Sequence, residues 1–185
     1  SPVAVEMTDK QWKIYYDLKE QYISWLSQTE VVDATQALLR LYRLLQVCYG
    51  YTKTDEGQIV ELSLNRAETI VDKVEEIIRP VIVYCADRWL QQKLYNTFSA
   101  RIGANNIAPY FGSTSPKDKE DSLKRFHEGS ARVFLASQQA AGYGLTLTEA
   151  DTVVYTMNTF KLVERLQSED RAHRIGQVSD KVLYL

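Results

Sequence analysis

Trp12, Tyr15, Tyr16, Leu18, Tyr22, Ile23 and Leu26 recur at three- and four-residue spacing, which predicts an N-terminal helix with one buried face. Thr8 and Asp9 stand where such a helix needs a cap. Core packing explains this aromatic stripe better than a cofactor box. A second helix is predicted over about 34–47, with Leu38, Leu39, Leu41, Leu44 and Leu45 as its apolar residues, and "YGYTKTDEGQ" then reads as a loop. From Asn65 onward the period switches repeatedly. A helix "NRAETIVDKVEEIIR" stops before Pro80, and the apolar run Val81 to Cys85 follows as a buried strand. Asp87 caps the next helix, and Ile107 to Phe111 form a strand. Ser115-Pro116 opens another helix that should end at Gly129, and Val133 to Ala136 and Thr152 to Thr156 form two further strands. "KVLYL" is a last strand. Short apolar strands alternating with helices predict an α/β fold: a mainly parallel sheet flanked by helices, preceded by a helical N-terminal segment. Residues 1–64 form that segment and 65–185 the α/β domain.

Composition narrows the function classes. The 185 residues carry a formal charge of −2, so any nucleic-acid contact must come from a local patch rather than an overall basic field. Cys48 and Cys85 sit in apolar surroundings, and His127 and His173 lie far apart, which argues against a disulfide framework or a zinc site and for an intracellular setting. No apolar run reaches the length of a membrane span.

Open parallel sheets bind ligands beyond the carboxyl ends of their strands, and three segments fall there. In "FGSTSPKDK", Gly112 permits close backbone approach, Ser113 and Thr114 offer hydroxyls, and a helix N-terminus points amides the same way; the segment suits a phosphate or is simply a capped turn with solvated lysines. In "SQQAAGYGLTLTEA", Ala140, Ala141, Gly142 and Gly144 clear space while Ser137, Thr146 and Thr148 supply hydroxyls, with a tight structural loop as the alternative. In "QSEDRAHRIGQ", Gln167, Arg171 and Arg174 stand at i, i+4 and i+7, one polar stripe of a helix. A solvated face would look this way. So would a pair of guanidinium forks set for phosphate oxygens.

Together, "QQAAGYGLTLTEADTVV" and "QSEDRAHRIGQ" resemble motifs V and VI of the Swi/Snf-like branch of helicase superfamily two. "VIVYC" takes the place of motif IV and "YFGSTSPKDKEDSLKRF" that of motif IVa, so the resemblance covers about 65–185. It implies a three-layer RecA-like C-terminal lobe that meets ATP and magnesium across a cleft from the N-terminal RecA-like lobe of the same polypeptide. Arg174 resembles the arginine finger, Arg171 its companion and Gln167 the motif's leading glutamine. Gly142 and Gly144 match the loop near the nucleotide. Ser113, Thr114 and Ser137 match hydroxyl positions along the backbone of DNA, duplex in this family. Ala86-Asp87 replaces the more usual small polar pair, and no role is carried onto motif IV.

The sequence contains no Gly-Lys-Ser or Gly-Lys-Thr phosphate loop. Asp55-Glu56 follows a loop-like stretch rather than the apolar strand that a magnesium-binding DExx motif requires. The magnesium ligands are therefore expected in the other lobe, and the isolated chain is expected to be inactive as an ATPase. The alternatives are a superfamily-two RNA helicase lobe and a degenerate RecA-like lobe kept as a protein-interaction module.

Overall fold

A computed structural model describes residues 3–28, 33–141 and 145–157 and the backbone of Leu183–Tyr184. The chain divides into two compact units, residues 4–69 and residues 70–185, with the division between Thr69 and Ile70.

In the first unit, α1 (Asp9–Gln28) opens on a reciprocal capping box. The Thr8 amide donates to Gln11 Oε1 at 3.0 Å, and the Gln11 amide donates to Thr8 Oγ1 at 3.3 Å. Gln11 is buried and also donates from Nε2 to the Val47 carbonyl at 2.7 Å, which ties α1 to the end of α2 (Ala34–Tyr49). Asp33 caps α2 through the Thr35 amide at 2.8 Å, and Gly50 closes it in the left-handed region at φ 110°.

The predicted buried face of α1 forms only in part: Tyr15, Leu18 and Tyr22 are half-buried, and none of the seven is fully buried. Trp12, Tyr16, Ile23 and Leu26 are 43–55% exposed, and Gln11 is the buried residue of the helix. Where α1 meets α2, the Arg40 guanidinium lies 5.5 Å from the ring centroid of Tyr22, a member of the predicted stripe, and 3.8 Å from that of Trp25, which is not. Helical spacing located a stripe without determining what lies over it.

The expected loop at 49–58 is also corrected. β1 (Tyr51–Lys53) pairs antiparallel with β2 (Ile59–Glu61), Thr52 opposite Val60. The Gly57 amide donates to the Thr54 carbonyl at 2.9 Å, and Gly57 takes φ 83°, so Thr54-Asp55-Glu56-Gly57 is a tight turn whose last residue needs the left-handed conformation. Asp55-Glu56 sits at a hairpin tip, preceded by a short antiparallel strand.

The helix α3 (Asn65–Glu75) spans the division between the units and ends four residues before the predicted stop. Arg132 caps this end: its guanidinium donates to the carbonyls of Val74 and Ile77, which lack i+4 partners where the helix stops.

In the second unit the described strands form one parallel sheet in the order β4 (Ile107–Tyr110), β5 (Val133–Ala136), β3 (Val81–Tyr84), β6 (Thr152–Tyr155), β7 (Leu183–Tyr184). Residues of both parities along β3 and β5 are buried, as expected of a sheet covered on both faces. One core cluster joins Ile82, Ala108, Phe134 and Val153 to Phe126 of α5 (Pro116–His127). Leu90, Leu94 and Phe98 of α4 (Arg88–Ile102) are also fully buried. The helix ends follow the sequence closely. Asp87 accepts from the Leu90 amide at 2.9 Å, Ser115 accepts from the Asp118 amide at 3.2 Å ahead of Pro116, and Gly129 lies just past α5 at φ 76°.

Candidate functional site

Register assembles the site. Tyr110 lies opposite Ala136, Ala136 opposite Tyr84, and Tyr84 opposite Tyr155, so these strands end level. The ladder runs one residue further: the amides of Ser137, Cys85 and Thr156 donate to Tyr110, Ala136 and Tyr84 at 3.2, 2.9 and 3.0 Å. The loops after β3, β4, β5 and β6 therefore leave from one edge, where a doubly covered parallel sheet places its ligands.

Two of the three predicted hydroxyls are built into turns. Thr114 Oγ1 accepts from the Phe111 amide at 3.0 Å while the Thr114 amide donates back to the Phe111 carbonyl at 3.2 Å. Ser137 Oγ accepts from the Ala140 amide at 3.3 Å, and the Ala141 amide donates to the Ser137 carbonyl at 3.0 Å. Each hydroxyl oxygen is used as an acceptor, which orients the side chain and still leaves an O–H that can donate. Ser113 is exposed in the same loop as Thr114. At Gly112 no atom beyond the glycine and its two chain neighbours lies within 4 Å of where a Cβ would be, so a side chain from elsewhere does not fill this place.

One expectation at this edge needs correction. The N-terminus of α5 does not offer a set of free amides: Pro116 has none, and that of Asp118 is held by Ser115 Oγ. The Asp118 carboxylate also accepts from the Ser115 hydroxyl at 2.6 Å and places negative charge where an anion would sit. Nor is α5 a bare basic face. Arg125 pairs with Asp121 at 2.8 Å, Lys124 reaches Glu128 at 4.0 Å, and Lys119 Nζ lies 5.3 Å from the Tyr110 ring centroid. The hydroxyl turns, rather than the helix end, keep polar donors at this edge.

Sequence reasoning carried no role onto the segment after β3, yet Arg88 stands there, exposed, on the first turn of α4 at the same edge. Its signal was a cation one residue after a cap, at the carboxyl end of a strand. Gly142, Gly144, Gln167, Arg171 and Arg174 lie outside the described residues, while Ala141, next to the first of these glycines, is packed in the sheet core.

Elsewhere among the described residues, no group of three His, Cys, Asp or Glu side chains could hold a metal ion. Burial raises the Cys48 thiol above its ordinary value and outweighs the nearby Arg66 charge, making it a poorer nucleophile. No described helix is long and apolar enough to cross a membrane.

Comparison with known proteins gives this geometry a family. Residues 65–176 match the helicase conserved C-terminal domain. The ATP-dependent helicase fft2 of Schizosaccharomyces pombe is 40% identical over 176 residues, 94% of this chain and 13% of that protein. The chromatin-remodeling ATPase INO80 of Arabidopsis thaliana is 40% identical over 74 residues, 40% of this chain and 5% of that protein. The chain thus spans a small part of the curated relatives it matches. Among solved structures, the Sulfolobus solfataricus SWI2/SNF2 ATPase core in complex with dsDNA superposes with a TM-score of 0.75 at 19% identity, over 100% of this chain and 39% of that one. The C-terminal domain of the same ATPase superposes at 0.66 and 15% identity, over 98% of this chain and 89% of that one. These structures share the RecA-like fold. The chain belongs to the helicase conserved C-terminal domain family, as a Swi/Snf-like superfamily-two C-terminal lobe.

Proposed function

We propose that this chain is the second motor lobe of an ATP-dependent DNA translocase or helicase, tracking the backbone of duplex DNA with Ser113, Thr114 and Ser137 and supplying Arg174 and Arg171 to ATP. The observation that carries the reading is the level carboxyl edge of the sheet, which gathers the two hydroxyl turns into one strip. Hydroxyl donors of this kind position a nucleic-acid backbone without reading bases. In this reading Gly142, Gly144 and Gln167 border the nucleotide, and the magnesium ligands belong to the N-terminal lobe that closes on this one. ATP supplies the free energy of translocation when bound between the lobes. This lobe's own part is to place guanidinium charge where negative charge develops on the phosphates. The 40% identity to a relative named as an ATP-dependent helicase supports the reading. The relatives named for chromatin remodelling favour a DNA rather than an RNA substrate and an intracellular, nuclear setting.

The test is steady-state ATPase of the intact protein with saturating duplex DNA. Arg174→Ala should lower turnover by roughly 10³–10⁵ while leaving melting temperature and DNA affinity near wild type. Arg174→Lys should fail almost as badly, because an ammonium is a point charge without the planar fork. Arg171→Ala should be impaired in the same direction. Near-normal turnover in Arg174→Ala would refute the finger assignment. Competition of turnover between duplex DNA and structured RNA decides the substrate. Turnover by the chain alone would contradict its role as half of a site.

A further inference from the structure

Two stripes of side chains meet beside the hydroxyl strip. On α4, Arg88, Gln91, Gln92 and Tyr95 share one face at i, i+3, i+4 and i+7; facing them are Pro109 of β4 and, in the turn that follows it, Phe111 and Ser113. Between them lies a cavity of about 440 Å³. Its chemistry is divided. Arg88 and Ser113 are exposed, whereas Tyr95, Pro109 and Phe111 are half-buried and contribute chiefly ring surface. The two glutamines each commit an N–H to protein: Gln91 Nε2 donates to the Cys85 carbonyl at 2.8 Å, and Gln92 Nε2 to Asn96 Oδ1 at 2.9 Å. A base edge is read by convergent donors and acceptors, and amides already engaged in this way supply few. A cation and a hydroxyl beside aromatic and proline rings match a ligand with one anionic and one apolar part.

We propose that this cavity seats one phosphodiester of the bound DNA strand together with its adjoining deoxyribose, the phosphate on Arg88 and Ser113 and the sugar against Tyr95, Pro109 and Phe111. The inference rests on the DNA-track reading above and adds to it the element the hydroxyls lack. Ser113, Thr114 and Ser137 are neutral, so they contribute little to the release of counterions that governs backbone affinity. Arg88 gives the track a formal charge at a position where the family resemblance assigned nothing.

The experiment is a fluorescence-anisotropy titration of a duplex oligonucleotide with the intact protein across a salt series. Arg88→Ala should weaken binding roughly tenfold at low salt and make the slope of log K against log salt shallower by about 0.9. Arg88→Lys should restore the slope, because counterion release counts charge and not fork geometry. Tyr95→Ser should weaken binding at an unchanged slope, the mark of a lost apolar contact. Wild-type affinity and slope in Arg88→Ala overturn the proposal, as does a loss of affinity at wild-type slope, which would mark a structural defect. Ser137→Ala, measured alongside, separates the two readings. If it weakens binding while Arg88→Ala does not, the DNA track stands without this cavity; if neither weakens binding, the track itself fails.

Discussion

The two units carry apolar residues at the spacing their elements require, yet they dispose of them in opposite ways. In the sheet unit β3 and β5 are buried on both faces, and the rings of Phe126 and Phe134 pack 5.1 Å apart. In the helical unit Ile23, Leu38 and Leu39 are 55–61% exposed, and all of β2 faces outward. The difference follows from architecture. A parallel strand cannot be joined to its neighbour without a crossover, and the crossover helix becomes the cover of the sheet. A helical hairpin has a single seam, so a helix that is apolar on more than the seam leaves the rest outside. Apolar periodicity therefore identifies a face that would gain from burial, and only in the sheet does it also imply the partner.

The sharpest way to break this comparison is to remove packing where the sheet unit has most of it. Phe134→Ala deletes a fully buried ring that also touches Tyr110 at 5.5 Å, and it should cost about 3–5 kcal/mol in urea unfolding followed through amides of the sheet. A cost under about 1 kcal/mol would show that the core tolerates collapse and that burial here is not the stabilising term.

How much of this was legible in the sequence follows the same division. Strand positions in the parallel sheet, the Ser115-Pro116 start of α5 and the carboxyl-edge location of Ser113, Thr114 and Ser137 could be read from the chain, because parallel strands, caps and turns are local or topological signals. The hairpin at 51–61 was missed because β1 and β2 are each three residues long, too short for alternation to register, and Asp55-Glu56-Gly57 carried the only turn signal. The α5 N-terminus was misjudged because whether its amides are free depends on Ser115 and Asp118 bonding each other and the backbone, a side-chain arrangement that residue types alone leave open. The Arg88 cavity exists only where α4 meets β4, and no stretch of sequence contains both.

Next in size is a polar contact that does for the helical unit what packing does for the sheet. Gln11→Ala removes half of the α1 capping box and leaves the Val47 carbonyl with the Gly50 amide alone, which should cost about 1–2 kcal/mol. Gln11→Glu should be worse near neutral pH, since a carboxylate can still accept from Thr8 but cannot donate to Val47. Hydrogen exchange of the first turn of α1 reads both. If Gln11→Ala left that turn as protected as in wild type, the unit would owe its order to something other than this tie.

Backbone strain should cost the same in either unit, and this sharpens the comparison. Gly57 and Gly129 stand at φ 83° and 76°, and apart from the glycine and its chain neighbours no protein atom lies within 4 Å of an added Cβ. Alanine at either place meets only the left-handed backbone penalty of roughly 1–2 kcal/mol, partly offset by a less flexible unfolded chain. Gly57→Ala and Gly129→Ala should therefore destabilise their own units by about 1 kcal/mol each, as read by local hydrogen exchange. A much larger loss at Gly57 would mean that the turn, rather than the α1–α2 seam, organises the helical unit.

The smallest expected effects are the most informative about the uncovered face. Ile23→Ser and Leu38→Ser change residues that are 55% and 61% exposed, so in this chain each should shift stability by no more than about 0.5 kcal/mol. Serine and isoleucine have similar helix propensities, which keeps the backbone term small. The same substitutions are then made in the intact protein, and both forms are unfolded in urea with the helical unit followed by hydrogen exchange. If another part of the protein lies over this face, the loss should rise to about 1.5–3 kcal/mol, the value of a buried aliphatic side chain. A large loss in the chain alone would break the comparison at its base, because it would mean that residues standing half outside still hold the unit together.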